Sequence, residues 1–210
     1  MEQTNLRTCP SGAVRDCSEG KGRLDLLPGH ALLRLQSIVG DSIYWPNAEM
    51  AVATVLEKGA KHYAARNWEQ GMYVDWFLDS GQRHLAKAIS GWDDEPHLYM
   101  ALWNLVCLVD TVERIQAGHL SKEYLGHFIN LGTTAYPTNL NIRGLSVNNL
   151  ICLSKGAIYR ILSGCGIENA FYAAICLFEI VERFIVAKRS GDSTGMGVLT
   201  KLCEKGGYSV

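Results

Sequence analysis

Between residues 59 and 110 the chain threads groups that can carry charge, protons or metal ions through stretches of helical apolar periodicity. They are Gly59-Ala60-Lys61-His62-Tyr63, Arg66-Asn67-Trp68, Arg83-His84, Asp93-Asp94-Glu95-Pro96-His97 and Asn104. A packed core needs no such residues, so their concentration marks a site. Asp94, Glu95 and His97 open one expected helix, where oxygen and imidazole ligands can gather at one end of a bundle. Hard oxygen ligands with few nitrogens suit Mg2+ or Mn2+ better than zinc. Lys61 and Arg66 can meet phosphates, Gly59 allows close approach, and Tyr63 or Trp68 can stack on a base. Upstream, Gly20-Lys21-Gly22-Arg23 reads as a basic loop able to close over phosphates.

Each feature also has a plainer explanation, and the sequence leaves both open. On a helical wheel over 48–65, Glu49 falls on the apolar face and Glu57 at its edge, which a salt bridge to a neighbouring Lys or Arg would explain. Asp75, Asp79 and Arg83 repeat at i, i+4 and i+8, the spacing of an exposed ion-pair ladder. His84 could be a satisfied core or surface histidine, the aromatic residues at helix ends could be packing, and the Gly20–Arg23 loop could be solvated. Asn104 is harder to explain plainly: it interrupts Leu102-Trp103-Asn104-Leu105-Val106, so it is expected to be buried and to hydrogen-bond a specific partner.

The elements that must position these groups are helical. Pro28 can start a helix running to about residue 39, stopped by Gly40 and Asp41. Asn47 is a plausible N-cap for a helix over 48–65, and further helices are expected over 74–89 and 96–117, the last two followed by Gly91 and Gly118. A weak helix is expected near 122–130, a turn-rich stretch and possible seam over 131–144, and stronger helices over 146–162 and 168–188. Residues 1–20 read as a flexible lead-in and 190–198 as a loop. No strand alternation or internal repeat is evident.

The chain has 210 residues, 48% hydrophobic and 20% charged, which suits one soluble domain with or without an appendage. Its net charge of −1 argues against a broad nucleic-acid footprint, so no direct nucleic-acid binding is expected. The 7 cysteines show no CxxC pairing, and Cys107, Cys152 and Cys176 fall in apolar helical runs, so they are expected to be reduced and mostly buried, in a cytoplasmic compartment. Neither a secretory signal nor a membrane span is expected, since the longest apolar stretches are short or interrupted by charge.

The ordered set Gly20-Lys21-Gly22-Arg23-Leu24-Asp25-Leu26-Leu27-Pro28, Gly59-Ala60-Lys61-x-Tyr63, Arg66-Asn67-Trp68-x-x-Gly71, Leu78-Asp79-x-x-x-Arg83-His84-Leu85, Gly91-x-x-Asp94-Glu95-x-His97-Leu98 and Trp103-Asn104-Leu105 resembles one family. It is similar to the phage-type dATP/dGTP diphosphohydrolase N-terminal domain, related to the MazG-like all-α nucleotide pyrophosphohydrolases, over about residues 12–117. The resemblance implies an all-α, MazG-like helical bundle over 21–117, with additional C-terminal helices over 118–210. It implies hydrolysis of a purine deoxynucleoside triphosphate to the monophosphate and pyrophosphate with Mg2+ or Mn2+, by a homodimer or homotetramer, in the host cytoplasm if the protein is viral. Carried over by position, the metal set is Glu57, Asp79, His84, Asp94 and Glu95, with Glu57 or Glu95 taking the proton of the attacking water. Lys21, Arg23, Lys61, Arg66 and Arg83 would contact phosphates. Tyr63, Asn67 and Trp68 would shape the nucleoside pocket, and His97 and Asn104 would support the site. The chain departs from the MazG-like pattern in having no ExxE followed by ExxD. A catalytically inactive nucleotide- or partner-binding module is therefore the alternative, with 145–188 as a possible oligomerisation or docking element.

Overall fold

The structure, a computed structural model, describes residues 6–40, 43–128 and 140–191. Among the described residues the chain is all-α apart from one short hairpin. Its helices are α1 (Gly29–Val39), α2 (Pro46–Tyr63), α3 (Val74–Ile89), α4 (His97–Gln116), α5 (Val147–Leu162) and α6 (Asn169–Ser190). The hairpin pairs β1 (Leu6–Thr8) with β2 (Val14–Asp16), Leu6 opposite Asp16. It corrects the expectation of a strandless lead-in. The signal is Pro10-Ser11-Gly12, where Gly12 at φ +85 lets Cys9 bond the Ala13 carbonyl.

Helices α4 and α6 form the centre. Apolar residues surround both, so neither can be covered by one neighbour. α4 packs against α3, α1, α2 and α6, and α6 packs against α5, α2 and α1 as well. One apolar cluster runs from Leu26 to Ile185, so residues of 21–117 and of 118–210 share it. Ala173, Ala174 and Cys176, considered as a docking face, are buried within this core. The expected weak helix is a 3-10 segment, Lys122–Phe128, broken at Gly126. Most of 131–144 and all of 192–210, with Cys203, lie outside the described residues. Cys107 and Cys176 are buried. Burial first, then Asp110, pushes the Cys107 thiol up; burial first, then Glu179, pushes Cys176 up to about 12. Cys9, Cys152 and Cys165 are exposed and Cys17 is half-buried, so most of the described cysteines are not buried as expected. Among the described residues no helix is long and apolar enough to cross a membrane.

Two helix N-termini are capped from a distance. α2 begins at Pro46, and Asn47, expected to be its cap, instead joins Ala48 in donating backbone N–H bonds to Glu182 of α6, at 2.9 and 3.0 Å. Asp110 of α4, 1% exposed, accepts the Ala31 N–H in the first turn of α1 at 3.1 Å. A carboxylate at a helix N-terminus satisfies orphan donors and the dipole together. Glu49, expected beside a cation, makes no ion pair among the described residues; burial first, then Glu182, pushes its carboxyl up.

Candidate functional site

The C-terminal half of α2, the turn after it, α3 and the start of α4 enclose a cavity of about 760 Å3. Its walls are largely apolar and aromatic, with Trp68, Trp76 and Trp103 among them, while Asp94 and Glu95 lie on the lining beside Pro96. The turn is unusual: Ala64 and Arg66 hold φ of +107 and +61, a region non-glycine residues seldom occupy. The Arg66 guanidinium secures it by bonding the Asp25 carbonyl and the Glu69 carboxylate. Trp68 is thereby buried in the 3-10 segment Asn67–Gln70, and its indole N–H, like that of Trp103, is buried without a partner among the described residues. Gly71 ends the turn at φ +102, where a Cβ would lie 2.7 Å from the Tyr124 ring.

α3 and α4 approach closely at Gly81, where a Cβ would come within 3.3 Å of the Asn104 Cβ. Close to this approach, His84 of α3 meets His97 of α4, their Nδ1 atoms 2.9 Å apart and their side chains buried. His97 Nε2 is 2.7 Å from Asp94 Oδ1, and Lys87 donates to the other Asp94 oxygen at 3.2 Å. Glu95 Oε2 lies 3.9 Å from His97 Nδ1. The His97 bond, more than Lys87, holds the Asp94 carboxyl below its usual range. Burial first, then His97, holds His84 down, which favours a neutral imidazole with a lone pair to offer. Ligand atoms of His84, Glu95 and His97 all fall within 4.8 Å of one another, so the group can hold a divalent metal.

Of the residues singled out in the sequence, Gly59, Ala60, His62, Tyr63, Arg66, Asn67, Trp68, Asp94, Glu95 and Asn104 come together on the cavity. Asn104 donates to the Met100 carbonyl of its own helix at 2.8 Å. His84 and His97 adjoin the cavity through Glu95. The remaining residues lie elsewhere, and the expected carboxylate quartet is not gathered. Glu57, 8% exposed, takes the Gly20 N–H on one oxygen at 2.6 Å and the Gly22 N–H on the other at 2.8 Å, with Lys61 3.6 Å away. It anchors the glycine loop. Asp79 is exposed and pairs with Arg83 at 2.6 Å, one rung of the expected ladder, while Asp75 lies 2.9 Å from His127 instead. Arg23 is paired with Asp25, Lys61 with Glu19, and Lys21 lies 3.9 Å from Asp16, so these cations face carboxylates away from the cavity lining.

Lys58, Trp76, Met100 and Trp103 also line the cavity and were not singled out by chemistry in the sequence. Helical spacing is the signal for two of them: Met100 lies four before Asn104, and Lys58 lies four before His62.

The fold and the site define an all-α protein with a ligand-sized aromatic cavity beside a group that can hold a divalent metal. Residues 11–119 match the family model described as dATP/dGTP diphosphohydrolase, N-terminal, and the chain belongs to this family, whose name is that of a hydrolase. No curated protein and no solved structure matches the chain.

Proposed function

We propose that the protein hydrolyses purine deoxynucleoside triphosphates to the monophosphate and pyrophosphate. The observation that carries this reading is the junction at Glu95: one carboxylate both lines the 760 Å3 aromatic cavity and belongs to the His84–Glu95–His97 group. The cavity is wide enough for a nucleoside, and its tryptophans offer stacking faces. Base and sugar lie among them, with the triphosphate running toward Glu95.

A divalent ion held by His84, Glu95 and His97 would offset phosphate charge and lower the pKa of the attacking water. The residues of the chain do the rest. Asp94 orients His97, and Lys87 holds Asp94. Lys58, on the lining and without an ion pair among the described residues, neutralises charge on the phosphates. The free oxygen of Glu95 accepts the water proton as the water attacks the α-phosphorus. The bond from that phosphorus to the bridging oxygen breaks, and pyrophosphate leaves. Glu57, held by the glycine loop, takes no part in the proton transfer. Incubation with each dNTP and Mg2+ or Mn2+, followed by separation of products, tests the reading. Monophosphate and pyrophosphate from dATP or dGTP support it; intact nucleotides under every condition remove it.

The engagement of Glu57 and Asp79 elsewhere favours one second reading, a nucleotide-binding module without the chemistry. Metal-dependent nucleotide binding with no pyrophosphate release would select it.

A further inference from the structure

We infer that His84, His97 and Glu95 form a metal site of two imidazoles and one carboxylate that takes Mn2+ in preference to Mg2+, with Asp94 as the residue that positions His97. This deepens the functional reading above and rests on it only for the use to which the ion is put.

The donor set differs from the oxygen-rich one that the acidic run Asp93-Asp94-Glu95 suggests, because α3 and α4 meet closely enough at Gly81 to bring two imidazoles together. Two nitrogens and one carboxylate suit a first-row transition ion, whereas Mg2+ keeps to oxygen and water. Glu95 Oε2 lies 3.9 Å from His97 Nδ1, and the two Nδ1 atoms are 2.9 Å apart, close enough to share one ion. That distance also suits an N–H···N hydrogen bond, by which the pair is held when no ion is present.

Asp94 supplies a second, independent observation. It takes the Nε2 side of a buried His97, which turns the Nδ1 lone pair toward His84 and Glu95. A carboxylate on the far nitrogen of a ligating histidine is the recurrent outer partner at metal sites. Lys87, bonded to Asp94 and stacked over Trp92 at 4.8 Å, fixes that carboxylate in turn. Asp94 is therefore removed from the ligand set carried over by resemblance and becomes the residue behind a ligand, while His97 enters the set.

The test uses the full chain, MnCl2 alone and no nucleotide. Electron paramagnetic resonance titration counts bound Mn2+, and the pulsed form detects nitrogen-14 coupling from coordinated imidazole. Wild type is expected to bind one Mn2+ with nitrogen coupling, and Mg2+ to displace it only in at least about tenfold excess. Asp94→Asn should weaken Mn2+ binding by about 10- to 100-fold while keeping the nitrogen signal. His84→Ala and His97→Ala, checked for helicity by circular dichroism, should lose that signal. Mn2+ bound without nitrogen coupling, no Mn2+ bound, or displacement by equimolar Mg2+ would overturn the inference, and the wild-type spectrum alone decides it if the variants misfold. Nitrogen coupling in a protein that leaves every dNTP intact upholds the site and removes the hydrolysis.

Discussion

Replacing Glu57 by alanine separates a loop anchor from a catalytic carboxylate. In the folded chain each Glu57 oxygen takes one backbone N–H, from Gly20 and from Gly22. A hydrogen bond to a charged group contributes roughly 1.5–3 kcal/mol when buried; Gly20 is exposed and water can replace its bond, so Glu57→Ala should cost about 2 kcal/mol in all. For a chain of this size that corresponds to a Tm about 4–8 °C lower at pH 7. The loop itself should open, and trypsin should cut faster after Lys21 and Arg23. The pH dependence has a definite sign. Burial works against ionisation of Glu57, but Gly20, Gly22 and Lys61 outweigh it and hold its carboxyl below the ordinary 4.5. A depressed carboxyl stabilises the fold in full above its unfolded value, and that stability is lost as pH falls through the folded value. The gap in Tm between wild type and variant should thus be widest near neutrality and close below pH 4.5. Thermal unfolding by circular dichroism across pH, with timed proteolysis, measures both effects. An unchanged Tm and digest, with pyrophosphate release abolished, would refute the anchor and return Glu57 to the chemistry.

A chain ending at residue 119, the limit of the family match, should lack a cooperative unfolding transition, because Phe171 and Phe178 of α6, each 0% exposed, complete the core around α4; a sharp melt would contradict the shared core. Glu182→Ala leaves the first turn of α2 uncapped and should lower stability by about 1–2 kcal/mol. Denaturant unfolding reads this, and an unshifted midpoint would show the cap to be idle. Gly71→Ala combines a left-handed φ with a Cβ 2.7 Å from Tyr124 and should cost about 1–3 kcal/mol by the same measurement; a gain in stability would mean the turn relaxes freely.

What the sequence disclosed follows from the range of the forces involved. α3 runs over Val74–Ile89 as periodicity alone indicates, and α4 starts one residue after Pro96, because apolar spacing and proline act locally. The start of α2 was misplaced because its cap is Glu182, which lies far along the chain. Glu57 illustrates the same limit. A carboxylate at the edge of an apolar face announces that it needs partners, yet two glycine N–H groups satisfy it as well as a cation or a metal would. The cluster of chemical residues did locate the cavity: Arg66, Asn67, Trp68, Glu95 and Asn104 all reach it. The pairing of His84 with His97 depends instead on how closely two helices pack, which a small residue at Gly81 permits but no motif announces.

The central claim is that water adds at the α-phosphorus of a purine deoxynucleotide held in the aromatic cavity. Phosphorus-31 NMR of dGTP incubated with the full chain and Mn2+ in oxygen-18 water tests it most directly. The label should appear in dGMP, shifting its resonance, while the pyrophosphate released remains unlabelled. Label in pyrophosphate or inorganic phosphate, or dGTP left intact, would contradict the account.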